Sequence, residues 1–537
     1  MVDYFNIVNR VKPTLQKMAR PLDPYVAPIG RLWRGLPPFA QHLLKSLAIG
    51  LGAAIFLTVA RPYLPAFNLA ETAATDWAIS FWKDRPAESL ASVERFVFVD
   101  IDEQAYQRWN GPLFVPRDKL LRLIQFVTEA RAKLLVVDIE LTKYIGPLQK
   151  DPLHSGDRNA LSDPDAALSA YLAAYSQKVH VDSAPIDAVR ASVTPIIFVR
   201  TMGPPWSNKM SDGGSVQPAG QGEGPGLFYE ERPSEFLEGA VKPSTVLHWA
   251  SSLIQRDEDG VLRSWRLYEP TCVGQEPNVV PSVALLAWAL IRQPRLDGEP
   301  FSAQRFHAEL RRRFSPSAGH CVSEGRATAL SINRRAPHVW RLDDPILPRP
   351  VVVSPHPTDL EQRIFYKFYP GSVQADYFSQ IQASLITDPQ PDRLLSSDWL
   401  AGKIVVIGSS YATAGDSHAT PLGEMSGALI VINEINALLE YGQILELDAG
   451  MRWAILVAMV AAFSLSFSYF TKSWGTRVAR FVVNVLLVPV SLWLFQYGWW
   501  LDVVFPLLVL QAYGRFIDFN VESPKIKREY IRPGTLP

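Results

Sequence analysis

DRLLSSDWLAGKIVVIGSSYATAGDSHATPLGEMSGALIVINEINALLEYGQILEL, residues Asp392–Leu447, reads as strand, glycine turn, loop and helix. Lys403–Ile407 (KIVVI) is a short, unbroken, β-branched run, the pattern of a strand buried on both faces. Gly408, Ser409 and Ser410 close it with turn-forming residues. The loop that follows carries Asp416, His418 and Pro421, and a helix is predicted from Gly427, with Ile430, Ile435, Leu438 and Leu439 on its apolar face. From Trp453 the composition becomes that of a membrane segment. The stretch therefore ends a folded domain and hands the chain to the bilayer.

Upstream, Arg95–Asp102 (RFVFVDID) and Lys133–Leu141 (KLLVVDIEL) read as buried strands bracketing the helix Pro116–Arg131, a βαβ unit with parallel strands. Asp163–Gln177 reads as a helix and Thr194–Thr201 as a strand. Thr245–Gln255 and Val261–Tyr268 read as a hairpin around the turn residues Asp257–Gly260. Helices are predicted over Pro281–Ile291 and Ser302–Arg313, and a strand over Arg363–Tyr369. Trp249, Trp265 and Trp288 are expected in the core. The fold class is α/β, a mixed and largely parallel sheet flanked by helices. Residues 203–226 are rich in Gly, Pro and Ser and form a loop insert by composition.

The ends are apolar. Residues 43–64 carry no charge between Ser46 and Ala60 and reach the length a bilayer requires; behind them lies a basic, proline-rich tail, residues 1–42. Three further apolar segments, 452–471, 478–497 and 500–517, precede a tail at 518–537. With four spans, the first tail, the Lys472/Arg477/Arg480 loop and the Lys525/Lys527/Arg528/Arg532 tail share one side, the cytoplasm by the positive-inside rule. The domain at 66–450 then faces outward, in a multi-pass protein of the plasma (inner) membrane. The 53 basic and 53 acidic residues balance, which argues against a nucleic-acid partner. Cys272 and Cys321 can pair or remain thiols.

FVFVDIDEQAYQRWNGPLFVPRDKLLRLI, AKLLVVDIELT, DEDGVLRSWRLYE, PSVALLAWAL and the LAGKIVVIGSS…INALL stretch, in that order, resemble the second type of CHASE domain (cyclase/histidine-kinase-associated sensory extracellular). The resemblance implies an external α/β sensor with one membrane helix before it and three after. It departs from the family in the 203–226 insert and in having only a short tail after Tyr513, so an output through a separate membrane or cytoplasmic protein is expected.

Asp100 and Asp102 close one predicted strand, Asp138 and Glu140 the next, and parallel strands aim these ends at one crevice. These carboxylates suit a hard cation, an amine or loop amides; the plainer reading has Asp100 and Asp138 capping helices or fixing backbone. Gly408, Ser409 and Ser410 can offer amides to an anion, yet match neither a phosphate loop nor a nucleophile elbow. Asp416 and His418, two apart, read more simply as a hydrogen bond that orders the loop than as a catalytic base. Asn433 and Asn436 share a helix face and suit backbone capping or ligand recognition. No nucleophile, base and oxyanion donor assemble, so no enzyme and no cofactor are expected, and the metal question stays open. The expected partners are membrane lipid, a relay protein and possible further copies of the chain. The competing reading is an accessory subunit that uses the domain for docking.

Overall fold

Six strands form one sheet: β1 (Phe96–Ile101), β2 (Leu134–Val137), β3 (Ile196–Val199), β4 (Leu247–Ala250), β5 (Phe378–Gln382) and β6 (Ile404–Ser409). In the computed structural model their order is β5–β1–β6–β2–β3–β4, and every pair is parallel. The described residues are 35–63, 65–84, 95–112, 114–141, 164–181, 193–200, 202–203, 229–231, 235–241, 244–273, 276–315, 339–347, 349–355, 357–358, 360–372, 377–388, 397–469, 481, 485 and 487–501. The first tail up to residue 34, most of the 203–226 insert, the basic loop at 470–480, Cys321 and the chain from 502 lie outside them. The chain divides into two units, one of residues 76–445 with 496–498, the other of the remainder.

In the first unit the KIVVI strand is central, as its apolar composition demands. β6 lies between β1 and β2, so the helix joining β1 to β2 crosses over an intervening strand. β1, β2 and the core of β6 are buried without a break. The helices of this unit include α1 (Glu103–Arg108), α2 (Arg117–Glu129), α3 (Pro164–Val181), α4 (Val283–Arg292) and α5 (Gly427–Asn436). On α2 the buried residues Leu120, Leu123, Ile124 and Val127 recur at helical spacing. They share a core with Val97, Val99, Leu135, Val137, Val405 and Ile407, the odd-numbered face of the strands, and with Leu168 and Leu172 of α3.

The opposite face carries α5. Gly408 sits where a Cβ would overlap that of Ala428, so the helix lies closer to β6 than any larger residue would allow. All ten residues of α5 are buried, which corrects the expectation of a single apolar face. A π-helical turn, Ala437–Tyr441, follows, and Arg292 of α4 donates to the Leu439 carbonyl at 2.8 Å. Trp265 and Trp288 are core residues as expected; Trp249 is half-buried beneath the Arg200 guanidinium, 4.3 Å from its ring.

Two strand assignments are corrected. Leu247–Ala250 leaves the expected hairpin to become the sheet edge β4, and the hairpin itself is Ile254–Arg256 with Leu262–Trp265. Arg363–Tyr369 is not a ladder strand: Arg363 alone bridges Ser264. Beyond it, Asn433 of α5 supplies the pairing. Its Oδ1 accepts from the Lys367 and Phe368 amides, both at 2.8 Å, and its Nδ2 donates to the Phe368 and Leu429 carbonyls at 2.8 and 2.9 Å. Beside it, Lys367 and Glu440 form a buried ion pair at 2.8 Å.

In the second unit, helix Pro38–Ala60 is long and apolar enough to cross a membrane, and among the described residues it is the one helix that meets both criteria. It packs through Ala54 on Leu456 and Val460 of helix Ala449–Tyr469, whose apolar stretch, Gly450–Ser466, is shorter. Of the segment 478–497, helix Val488–Phe495 is described; 502–517 lies outside. Among the described residues one candidate span is seen; much of the predicted segment 478–497 and nearly all of 500–517 lie outside them.

Asn433→Ala removes the acceptor of two buried amides. It is expected to lower stability by at least about 2 kcal/mol in urea denaturation of the detergent-solubilised protein. Arg312→Ala, on an exposed helix surface, is expected to stay within about 0.5 kcal/mol of the parent.

Candidate functional site

The carboxyl ends of β1, β6 and β2 lie side by side, with Asp100 opposite Gly408, Ile101 opposite Ser409, and Val137 opposite Ile407. β6 enters here between two strands that are joined to each other elsewhere. In an open parallel sheet such a reversal of strand order leaves a crevice beyond the carboxyl ends, because the connecting loops diverge.

Asp100 is buried. Gln380 of β5 and Ser410 both donate to its Oδ2 at 2.7 Å, and Oδ1 has no partner among the described residues. Burial pushes its pKa up to about 6; the two hydrogen bonds oppose the shift and nearby Asp102 adds to it. Asp102 accepts from the Ala105 amide at 2.9 Å and caps α1. Ser410 also ties the β6 end to β1, donating its amide to the Ile101 carbonyl at 3.1 Å. Ser409 is the last residue of β6 and half-buried, while Glu140 stands exposed beyond β2.

A second group adjoins this one. The position a Gly408 Cβ would take is 3.6 Å from the Asp138 carbonyl oxygen, so the β2 end, the β6 turn and the start of α5 meet at one point. Asp138 keeps partial access to solvent. Burial of its carboxyl, with Asp416 and then Glu140 nearby, raises its pKa to about 7. The sequence between the β6 turn and α5, read as a loop, contains a hairpin, Ser417–Thr420 with Gly423–Ser426. Asp416 stands at its start. Its Oδ2 accepts from the Gly427 amide at 3.1 Å and its Oδ1 faces His418 Nε2 at 3.0 Å. Arg256 approaches His418 Nδ1 at 3.1 Å. A guanidinium only donates, so Nδ1 is the acceptor and Nε2–H points at Asp416, fixing the neutral tautomer. This is the loop-ordering arrangement, and no nucleophile faces the ring among the described residues. Burial raises the Asp416 pKa, and His418 draws it back.

The structure thus brings Asp100, Gly408, Ser409 and Ser410 together, and Asp138, Asp416 and His418 beside them. Sequence reasoning missed Gln380, Arg256 and, above all, Glu434. Glu434 lies on α5 and is wholly buried, with neither carboxyl oxygen partnered among the described residues. Burial, then the charge of Asp138, pushes its pKa well above the ordinary range. A carboxylate among the apolar residues of this helix is the signal the sequence offers. Asn433 and Asn436 are structural, Asn436 donating to Glu440 at 3.0 Å. No group of three or more His, Cys, Asp or Glu among the described residues is arranged to hold a metal ion.

Polar side chains thus gather at the carboxyl ends of a parallel α/β sheet, the place where open sheets of this kind receive ligands. A model of the CHASE2 domain matches residues 50–467, and the chain belongs to that family of sensory extracellular domains. Comparisons with curated proteins and with solved structures return no match.

Gly427 has no room for a side chain, since a Cβ would press on the Asp416 carboxylate. Gly427→Ala is expected to destabilise by about 1–3 kcal/mol. Adding Asp416→Ala is expected to restore part of that loss, a non-additivity read from melting curves of the single and double variants.

Proposed function

We propose that the protein is a multi-pass membrane sensor of the plasma (inner) membrane. Its external domain receives a signal at the carboxyl ends of β1, β6 and β2 and relays it through the membrane helices to a separate protein partner. The observation that carries this reading is the placement of α5. The helix begins at the site, where the Gly427 amide binds Asp416, and its chain runs through the π turn and residues 442–448 into the apolar helix Ala449–Tyr469. A change at Asp416 or Asp138 acts on the first turn of the element that leads toward the bilayer. Membership of a sensory extracellular family supports the role, and the loop charges support the orientation.

A second link joins the domain to the helix that comes after the first span. Asp76, near the end of helix Pro65–Trp82, accepts from Arg263 at 2.9 Å and Arg363 at 2.5 Å. Arg363 begins the segment whose Lys367 and Phe368 amides Asn433 holds.

Two measurements on the full chain in its native host test the proposal. Single cysteines at Gly213 and Gly475 are expected to be, respectively, labelled and unlabelled by an impermeant reagent in intact cells; the reverse pattern overturns the orientation. Purification by a tag is expected to bring down a second protein, in an amount that Asp416→Ala changes while the domain stays folded. Equal recovery from both forms would make the chain a docking subunit, and recovery of no partner would defeat the relay.

A further inference from the structure

α5 is packed on every side, and a helix so placed has no outlet for a charge. Glu434 is 0 % exposed, yet it has no donor for either oxygen among the described residues. An ionised carboxylate without donors in a dry interior is among the least stable arrangements a protein can hold. The charge acting on it is that of another acid, Asp138 at the end of β2, which worsens the case. The site is consistent only if the pair carries a proton or a cation. The described residues offer no metal-holding group, and a proton is the one cation that needs no cavity and no third ligand.

Among the described residues nothing else neutralises Glu434. From the 360–372 segment it is approached by Tyr366, whose hydroxyl is committed to the Leu262 carbonyl at 2.9 Å. Arg292 of α4 binds the Leu439 carbonyl and lies 3.7 Å from Asp344. Asp100 of β1 is held by Gln380 and Ser410, and Glu424 of the hairpin accepts from Ser417. Among the described residues Asp138 is the acid whose charge acts on Glu434, and its residue keeps partial contact with solvent.

We propose that Asp138 and Glu434 form a proton-binding pair whose loading sets how α5 packs on the sheet, so that the signal the domain reads is external proton activity. This rests on the sensor reading and deepens it. The pair gives up its first proton near pH 7, and the charge left on it then keeps the second in place. Both carboxyls bind protons more tightly in the folded than in the unfolded chain. Their contribution to stability is therefore complete below the ordinary carboxylate range and is lost as pH rises through about 7 and beyond. Asp100, raised to about 6, acts with the same sign slightly lower. The buried His248 and His307, lowered to about 3 and about 4, act oppositely, their contribution falling away as pH drops below the ordinary imidazole value. The pair is consequently read most cleanly between about pH 6.5 and 8.

The test uses the full chain in phosphatidylcholine nanodiscs, titrated across that window while infrared absorption of protonated carboxyl groups and the melting temperature of the external domain are followed. The parent is expected to lose one protonated carboxyl near pH 7, to keep a second beyond it, and to melt lower as pH rises. Asp138→Asn is expected to remove the first signal, Glu434→Gln the second, and either to flatten the melting profile. If Glu434→Gln fails to fold, Asp138→Asn decides alone. Signals unchanged in both variants, a flat parent profile, or a midpoint displaced by millimolar Ca²⁺ or Na⁺ at fixed pH would each overturn the proposal. Partner recovery from the same samples separates the two claims. A titrating pair with pH-independent partner recovery overturns the relay of this signal, while pH-dependent recovery without a titrating pair overturns the proton site.

Discussion

The close approach of α5 to β6 is the constraint on which the rest of the external domain depends. Gly408 and Ala428 leave no space for a side chain between strand and helix, so any substitution there must move the helix or the sheet. With its first turn fixed against the strand end, α5 cannot present one face to solvent. It is enclosed by the sheet, by α4 and by the buried segment around Lys367. Enclosure then dictates the chemistry of its polar residues. Asn433 is used up in backbone pairing, Glu440 is matched to Lys367, and Glu434 is left with another acid.

These polar residues differ in what they cost. Removing one partner of the Lys367–Glu440 pair would leave a buried charge uncompensated, a loss of about 3–5 kcal/mol in comparable sites. That pair pins the π turn that ends α5. At the opposite end the Gly427 amide is shared between the Asp416 main-chain carbonyl at 3.0 Å and its half-exposed carboxylate at 3.1 Å. α5 is thus held at both ends, by the Lys367–Glu440 pair at its end and by the Gly408–Ala428 contact and the Asp416 bonds at its beginning. A helix in a close-packed interior responds to a change at one end by shifting as a body, because its packing is not continuously deformable.

Much of this was legible in the sequence. KIVVI announced a strand buried on both faces, and that composition places it at the centre of a parallel sheet. The motif order pointed to the family, and the carboxylates at the ends of β1 and β2 do fall beside the β6 turn. What was not legible depends on tertiary pairing. LHWA at β4 has the composition of a hairpin strand and becomes a sheet edge because β3 is its available neighbour. Arg363–Tyr369 has every mark of a strand, but an asparagine side chain takes the place of its partner strand. The hairpin at 417–426 is short and polar, so no periodicity reveals it. Glu434 escaped notice because a helical pattern shows which residues can share a face, not how many faces are covered.

The hairpin and α5 meet at Gly427, whose amide is shared by the Asp416 main-chain carbonyl at 3.0 Å and its carboxylate at 3.1 Å, and they respond as one element to the extent that the carboxylate adds to the main-chain bond. Hydrogen exchange of the full chain measures it directly, by comparing the amides of 417–426 with those of 427–441 in the parent and in Asp416→Ala. α5 is expected to be among the slowest-exchanging parts of the domain, and its first turn to gain exchange together with the hairpin when the Asp416 carboxylate is removed. Faster exchange in the hairpin with the first turn of α5 unchanged would contradict this coupling.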